Sequence, residues 1–191
     1  LNIGPAQADN VHGTHPKDLI VLHETVSPDY PGWKDVKQTS EYLDNKDYGI
    51  HGIVDLEGHV AWAYGLGKAI FYHTASRGAD GYGMVNTFGV GIELVSKVML
   101  AESDNYLRWR IWWERNKQIE ATAQLIAWVA KAHSIPLVIS DGSKSGITTH
   151  WQVTKRYAVP GGHVDCWPRH LGGYFPLQRI VARAAKIKVG P

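Results

Sequence analysis

Short apolar runs alternate along this chain with segments whose apolar residues recur at helical spacing, and this alternation most limits the folds open to it. The runs Asp18–His23, Gly89–Val95 and Ile147–His150 have the length and composition of buried strands. The segments between and after them repeat an apolar residue every three or four positions. Strands that alternate with helices in this way predict an α/β domain, with a β-sheet covered by helices on its faces.

Three helices and one hairpin are predicted around these strands. A short helix is indicated by the spacing of Trp33, Val36, Thr39, Ser40 and Leu43. A longer one, which Pro136 would stop, carries the stripe Ile119, Thr122, Leu125, Ile126, Val129, Ala132 and His133. A closing helix follows Pro176 and has its apolar residues at Leu177, Ile180, Val181 and Ala184. The runs His51–Asp55 and His59–Ala63, on either side of a Leu-Glu-Gly turn, predict a hairpin.

Two stretches lie outside this pattern. Residues 1–15 have no periodicity and are interpreted as an N-terminal arm, which leaves residues 16–191 as a single domain. Residues 97–116 contain Trp109, Trp112 and Trp113 and fit no element well. We interpret them as a Trp-rich insertion or as an N-terminal extension of the long helix. Because the chain starts at Leu1 rather than Met, we expect it to be one module of a longer protein.

Composition excludes several classes of protein. A chain of 191 residues can bury a core without disulfides, and its single cysteine, Cys166, cannot close an internal bridge. No apolar run reaches the roughly 20 residues of a membrane helix. The net charge of +2 is too small to indicate a nucleic-acid partner. The ten histidines and eight tryptophans are more than a core of this size needs, so we expect some of them to form a functional site.

Two histidines end predicted strands, and a third polar group follows the second of them. His23 closes the first strand and His150 follows Ile147-Thr-Thr. In α/β sheets, sites gather at the carboxyl ends of the strands, so both side chains are expected at one cleft. Fifteen residues after His150 comes Asp165, next to Cys166. Two imidazoles with one carboxylate or thiolate form the ligand set of a catalytic zinc ion.

Several motifs in order resemble a known family. They are His23-Glu-Thr, His51 with Asp55-Leu-Glu-Gly, Phe71-Tyr-His-Thr, Asn86-Thr-Phe-Gly-Val-Gly-Ile-Glu93, and His150 followed by His163-Val-Asp165. Together they resemble the type 2 N-acetylmuramoyl-L-alanine amidases, relatives of peptidoglycan recognition proteins and phage lysozyme-amidases. The resemblance covers about residues 19–187 and leaves out the Trp-rich stretch. It implies a mixed central sheet flanked by helices, with Zn²⁺ in the cleft.

The resemblance implies a ligand set for that zinc. His23 and His150 match the two histidine ligands of the family, and the third is an Asp or a Cys. Asp165 matches the His-x-Asp form of the motif, whereas Cys166 adjoins it and the Pro of the family pattern is displaced to Pro168. Adjacent residues of an extended segment point in opposite directions, so only one of the two should face the metal. We favour Asp165, with Cys166 as the alternative.

Two further residues match catalytic positions of the family. Glu93 interrupts an apolar strand, where a carboxylate would be costly unless it lines a cleft or pairs with a buried cation. The resemblance makes it the general acid/base. His163 stands where other members carry a Lys or Thr close to the developing oxyanion. It would stabilise that charge, or alternatively would orient the segment of Asp165.

The remaining aromatic residues divide into substrate and core positions. By resemblance, His73 lies close to the substrate and His51 is structural. Trp151 and Trp167 flank the predicted ligands, and we expect them to wall a substrate groove, although packing alone would also account for them. His59 is interpreted as a core residue or as a support for the site.

The predicted function is zinc-dependent hydrolysis of the amide between N-acetylmuramic acid and L-alanine in bacterial peptidoglycan, as in the catalytic domain of a bacteriolytic phage endolysin. Such a protein would act on the cell wall, either kept in the cytoplasm until lysis or secreted. We expect a monomer whose partner is peptidoglycan, with no nucleic acid. Two alternatives stay open, which are a non-catalytic peptidoglycan-binding module and a zinc peptidase that cuts within the stem peptide.

Overall fold

A mixed six-stranded sheet forms the centre of the domain. The computed structural model describes residues 2–5, 11–25, 34–46, 48–63, 65, 67–74, 82–96, 105–157, 165–166 and 174–190. The strands are β1 (Asn2–Pro5), β2 (Leu19–Glu24), β3 (Gly52–Val54), β4 (His59–Trp62), β5 (Gly89–Leu94) and β6 (Gly146–Thr149), in the spatial order β1-β4-β3-β5-β2-β6. Strands β2, β3, β5 and β6 are mutually parallel, whereas β4 runs antiparallel to β3 and parallel to β1.

Helices cover both faces of the sheet. In the described residues they are α1 (Lys34–Asp44), α2 (Tyr82–Phe88), α3 (Asn105–Glu114), α4 (Asn116–His133), α5 (His150–Arg156) and α6 (Leu177–Ala184). Helices α4 and α6 pack on each other and cover one face, whereas α1, α2 and α5 contact the other face. The predicted α/β class, with a mixed sheet between helices, is therefore confirmed.

Alternation along the strands assigns each side chain to one of these faces. Ile20 and Leu22 of β2 belong to the large core under α4 and α6, which also contains Ile92 of β5. Leu19 and Val21 point the other way, into a small cluster with Val85 of α2 and Val153 of α5. By the same alternation, His23 lies on the α2/α5 face and Glu24 on the α4/α6 face.

Two stretches for which no separate element was predicted contain regular structure. The arm at residues 1–15 includes the strand β1, which pairs with β4 and forms one edge strand of the sheet. Residues 105–114 of the Trp-rich stretch form a helix of their own, α3, which is separated from α4 at Arg115. Trp112 is buried against Phe175, while Trp109 and Trp113 are exposed and stack on each other. Residues 97–104 of this stretch lie outside the described residues.

The other predicted elements occur with shifts of a few residues. The hairpin is present as β3 and β4, and the closing helix is α6. The long helix begins at Asn116, earlier than its apolar stripe, and ends where Ser134 adopts the left-handed conformation. The short helix α1 begins at Lys34, whereas Trp33 lies outside the described residues. No helix in the described ranges is long and apolar enough to span a membrane.

Candidate metal and catalytic site

His23, His150 and Asp165 meet at the carboxyl ends of β2 and β6. The Nδ1 atoms of His23 and His150 lie 3.1 Å apart. One carboxylate oxygen of Asp165 is 3.3 Å from Nδ1 of His23 and the other is 3.0 Å from Nδ1 of His150. Both histidines are buried and Asp165 is nearly so. Three candidate metal-ligand atoms therefore face one small volume at the edge of the sheet.

Local structure holds each of the three in place. His23 is the fifth residue of the fully buried strand β2. His150 is the first residue of α5, directly after Thr149, which caps the helix reciprocally with Gln152. The next backbone N–H of α5, that of Trp151, donates to the carbonyl of Asp165 at 2.6 Å. This bond uses an N–H that the first helical turn leaves without an internal partner, and it fixes Asp165 beside His150.

The donor set fits a tetrahedral zinc ion. Ligand atoms bound to zinc at about 2.0–2.1 Å in tetrahedral geometry lie about 3.3 Å from one another. The two Nδ1 atoms are 3.1 Å apart, and each has a different oxygen of the Asp165 carboxylate at 3.3 or 3.0 Å, which comes close to that spacing. Two nitrogens and one carboxylate oxygen also leave a fourth position for water, as catalytic zinc sites require. The side chains present thus fit the metal that the motifs predict.

Charge at the site favours an ionised Asp165. Burial by itself would raise the pKa of this carboxyl, but attraction to His150 and hydrogen bonds from His150 and His23 outweigh it and hold the pKa well below its usual range. The backbone N–H of Glu24 donates to the same carboxylate at 3.4 Å. A metal ion would find this ligand already deprotonated.

Cys166 faces away from the two histidines. Its thiol is buried in the core under α4 and α6 and donates to the carbonyl of Leu22 at 3.4 Å. Burial raises the pKa of the thiol well above its usual value, and the nearby carboxyls of Asp165, Glu24 and Glu93 raise it further. The geometry thus places the Asp165 carboxylate, rather than the Cys166 thiol, with the histidine nitrogens.

Glu93 is paired in register with His23 on the neighbouring strand β5. Val90, Ile92 and Leu94 of β5 point into the core under α4 and α6, so Glu93 projects from the opposite face, together with His23. It is 8% exposed, and burial followed by repulsion from Asp165 and Glu24 raises the pKa of its carboxyl well above the usual value. A carboxyl whose pKa is raised in this way holds its proton more strongly than an ordinary glutamate, which suits a general acid or base.

His73, predicted to contact substrate, lies directly behind His23. Its Nδ1 is 3.1 Å from Nε2 of His23, and only 9% of the residue is exposed. The sequence does not link these two residues, because nothing in a local motif shows that an imidazole fifty positions away will contact a strand-end histidine. Asn86 holds His73 in place, and that role was also missed.

The other predicted site residues are placed as follows. Trp151 is half-buried in the first turn of α5, with Nζ of Lys155 5.1 Å from its ring centre. His51 is fully buried, and among the described residues its hydrogen bonds go to backbone atoms: it accepts from the N–H of Gly91 and its other ring nitrogen contacts the carbonyl of Ala69. His163 and Trp167 lie outside the described residues.

A second group of potential ligands, Asp55, Glu57 and His59, lies in the β3–β4 turn. There Asp55 accepts from both the backbone N–H and the ring of His59, at 2.8 and 2.6 Å. These bonds close the hairpin turn, and they account for the cluster without a metal.

Comparisons with known proteins agree with this geometry. The family model described as N-acetylmuramoyl-L-alanine amidase matches residues 13–165. Among curated proteins, none is similar enough to this sequence to count as a match.

Three solved structures illustrate the fold. The Staphylococcus aureus hydrolase AmiA is 14% identical, with 96% of this chain and 82% of that chain covered and a TM-score of 0.61. For the endolysin amidase LysCS of Clostridium intestinale, the identity is 15%, the coverages are 96% and 94%, and the TM-score is 0.56. A mutant Bacillus subtilis endolysin has 20% identity, coverages of 92% and 99%, and a TM-score of 0.52. At these identities the likeness establishes the fold.

Proposed function

Because this chain belongs to the N-acetylmuramoyl-L-alanine amidase family, we propose that it hydrolyses peptidoglycan with a zinc ion held by His23, His150 and Asp165. The bond cleaved is the amide that joins the lactyl group of N-acetylmuramic acid to L-alanine of the stem peptide. The observation that carries the proposal is the convergence of two imidazole nitrogens and one carboxylate at separations of 3.0 to 3.3 Å.

Each residue of the site has a task in this reaction. Zinc bound there would acidify a water molecule and polarise the scissile carbonyl. Glu93 would take the proton of the attacking water, whose oxygen adds to the lactyl carbonyl carbon. It would return that proton to the alanine nitrogen as the C–N bond breaks. The products are a free lactyl carboxylate on the glycan strand and a stem peptide with a free amino terminus.

The raised pKa of Glu93 suits this double role. A carboxyl of ordinary pKa is a weak base and would release its proton to solvent long before the leaving nitrogen needs it. Burial, with the negative charges of Asp165 and Glu24 close by, moves the pKa of Glu93 upward, toward the working range of an acid/base catalyst. His163 remains our predicted donor to the oxyanion, on the sequence argument alone.

The biological setting that we propose is bacterial lysis by an endolysin. Two of the solved structures with this fold are endolysins by name, and this chain covers more than nine-tenths of each. A bacteriolytic, antimicrobial enzyme of this kind would meet its substrate at the cell wall and would act as a monomer.

Zinc content and wall lysis, measured together, test the proposal. The protein is purified, its zinc per chain is measured, and the loss of turbidity of purified cell walls is followed before and after chelation. We expect one zinc per chain, loss of lysis on chelation and recovery when zinc is added back. His150→Ala should lack both the zinc and the lysis, whereas Cys166→Ser should keep the zinc. Lysis that survives complete zinc removal would contradict the proposal.

Product analysis separates the two alternatives named above. A binding module would sediment with cell walls without releasing anything from them. A peptidase would leave the lactyl–alanine amide intact and shorten the stem peptide instead.

A further inference from the structure

His23 can bind metal through Nδ1 in only one of its two neutral forms. Nδ1 is the ring nitrogen that faces His150 and Asp165, at 3.1 and 3.3 Å. To offer a lone pair there, the ring must carry its proton on Nε2, and a buried N–H needs an acceptor. Nε2 of His23 has His73 Nδ1 at 3.1 Å. The ring of His73 therefore lies where it can accept that proton.

Two glycines of β5 leave the space that the ring of His73 occupies. A side chain at Gly91 would place its Cβ 2.6 Å from Cγ of His73, which is closer than two non-bonded carbon atoms can lie. One at Gly89 would come within 3.3 Å of the same ring. The strand thus carries no side chain at the two positions before Glu93 on this face, and the imidazole occupies that space.

Asn86 fixes the backbone that carries His73. Its Oδ1 accepts from the N–H of His73 at 3.1 Å, and from the N–H and hydroxyl of Thr74 at 2.8 Å each. Its Nδ2 donates to the carbonyl of Thr74 at 3.0 Å. Asn86 is fully buried in α2, the helix that runs directly into β5. The contacts therefore run in sequence from Asn86 to His73, and from His73 to His23.

We propose that Asn86 and His73 are positioning residues: when zinc is bound at Nδ1 of His23, His73 accepts the proton that the His23 ring then carries on Nε2 and so supports zinc binding. The inference rests on the proposed zinc site. In this arrangement His23 donates from Nε2 to Nδ1 of His73, and His73 carries its own proton on Nε2, so the N–H without an acceptor among the described residues lies on His73 and not on the metal ligand. Partners that orient a ligand histidine in this way commonly change metal affinity by about 10- to 100-fold when removed.

Stability alone does not explain a histidine at position 73. Among the described residues, its buried Nε2 has no hydrogen-bond partner. A buried polar atom in that state destabilises the fold, and an apolar ring of similar size would avoid the penalty. The hydrogen bond to His23 is the feature that an apolar ring could not supply.

Three variants of the full chain test the proposal. His73→Phe keeps an aromatic ring but removes the acceptor, and His73→Asn offers an amide oxygen as a replacement acceptor. His51→Phe is the matched control, because His51 is another buried histidine on this face but bonds to backbone atoms. Zinc affinity is measured by competition with a chromophoric chelator, and the folded fraction by circular dichroism.

We expect His73→Phe to bind zinc about 10- to 100-fold more weakly. The zinc affinity of His73→Asn, and that of the folded part of the His51→Phe sample, should stay within about threefold of the affinity of the original chain. Nitrogen-15 spectra of the zinc-loaded original protein should show His23 metal-bound at Nδ1 and protonated at Nε2. Zinc bound instead at Nε2 would contradict the inference even if His73→Phe does not fold.

Wild-type zinc affinity in His73→Phe, or coordination of zinc by Nε2 of His23, would overturn this inference and leave the proposed function intact. Failure of the original chain to bind any zinc would instead remove the proposed function itself.

Discussion

Two buried carboxyls on neighbouring strands have different surroundings, although both are close to the proposed metal. Glu93 of β5 shares its face of the sheet with His23. Glu24 of β2 points to the other face, where one of its oxygens accepts from the hydroxyl of Ser96 at 2.8 Å. Burial raises the pKa of Glu24 to about 7, with the Ser96 hydrogen bond and Arg115 opposing the shift. A direct comparison of the two glutamates separates catalysis from mere burial.

Glu93→Gln should lower the rate of amide hydrolysis by about 10²- to 10⁴-fold, because glutamine cannot accept or return a proton. Zinc content should stay at the original level, since Glu93 is not among the three ligand side chains. The matched control is Glu24→Gln, which neutralises a carboxyl on the opposite face and should change the rate less than tenfold. Near-normal lysis by the Glu93 variant, with zinc bound, would show that the proton passes through another group.

At the scale of elements, one histidine supports the pairing of β3 with β5. His51 precedes β3, accepts from the N–H of Gly91 in β5, and contacts the carbonyl of Ala69 through its other ring nitrogen, at 3.1 and 3.0 Å. Its full burial lowers the pKa of the imidazole to about 3, with repulsion from Lys17 as a smaller cause. The neutral ring is thus part of the sheet, and protonating it would break an acceptor bond.

This predicts a loss of stability in acid that originates at His51. Between pH 6.5 and pH 3, the unfolded chain takes up a proton that the folded chain does not, so the free energy of unfolding falls as the pH falls. The full contribution is on the order of 5 kcal/mol. In His51→Gln, which does not titrate, urea unfolding should show a flatter pH dependence across this window. The exposed His15→Gln serves as control, and an unchanged slope in His51→Gln would contradict the assignment.

The packing of α6 on α4 and the sheet gives a second element-scale prediction. Ile180 is fully buried, whereas Arg183 forms an exposed two-bond pair with Glu120 of α4, at 2.6 and 2.9 Å. Ile180→Ala should cost about 2–5 kcal/mol of unfolding free energy. Arg183→Ala should cost no more than about 1 kcal/mol, because solvent screens the pair. Chemical denaturation of the two variants checks the order, and a larger loss in Arg183→Ala would contradict it.

Elements with a regular local pattern were predictable, and those formed by distant pairing were not. The long helix α4 repeats its apolar residues over several turns, so its sequence alone indicates a helix. The strand β1 has only the sequence Asn-Ile-Gly-Pro, and it exists because β4, more than fifty positions later, supplies its hydrogen-bond partners. In α3 the tryptophans lie on different sides of the helix, one buried and two exposed, which hides any stripe.

For the molecule as a whole, strand order creates the site. The strands that carry His23 and Glu93 are neighbours in the sheet, although seventy positions separate them in the chain. The apolar runs predicted that His23 and His150 would lie at one edge of the sheet, because His23 ends one run and His150 follows another, whereas Glu93 and Asp165 were proposed from the family motifs. The order of the strands and the contact of His73 with His23 depend on tertiary packing, which local patterns do not encode.

Metal binding should also stabilise the whole domain. A ligand that binds only the folded state, at about 1,000 times its dissociation constant, adds about 4 kcal/mol to the free energy of unfolding. For a chain of this length, that corresponds to a rise of roughly 10 °C in Tm. Calorimetry with and without zinc should show this rise, and magnesium should not produce it. A similar rise with zinc in His150→Ala would place the metal elsewhere.

The central claim is that this site cleaves the lactyl–alanine amide, and mass spectrometry of digested peptidoglycan tests it most directly. Purified walls are incubated with the zinc-loaded protein, with Glu93→Gln as the matched control, and the soluble and insoluble products are identified. We predict intact stem peptides that begin with a free L-alanine amino group, and glycan strands whose N-acetylmuramic acid bears a free lactyl carboxylate. Stem peptides shortened from within and still attached through alanine, or no release at all, would contradict the account.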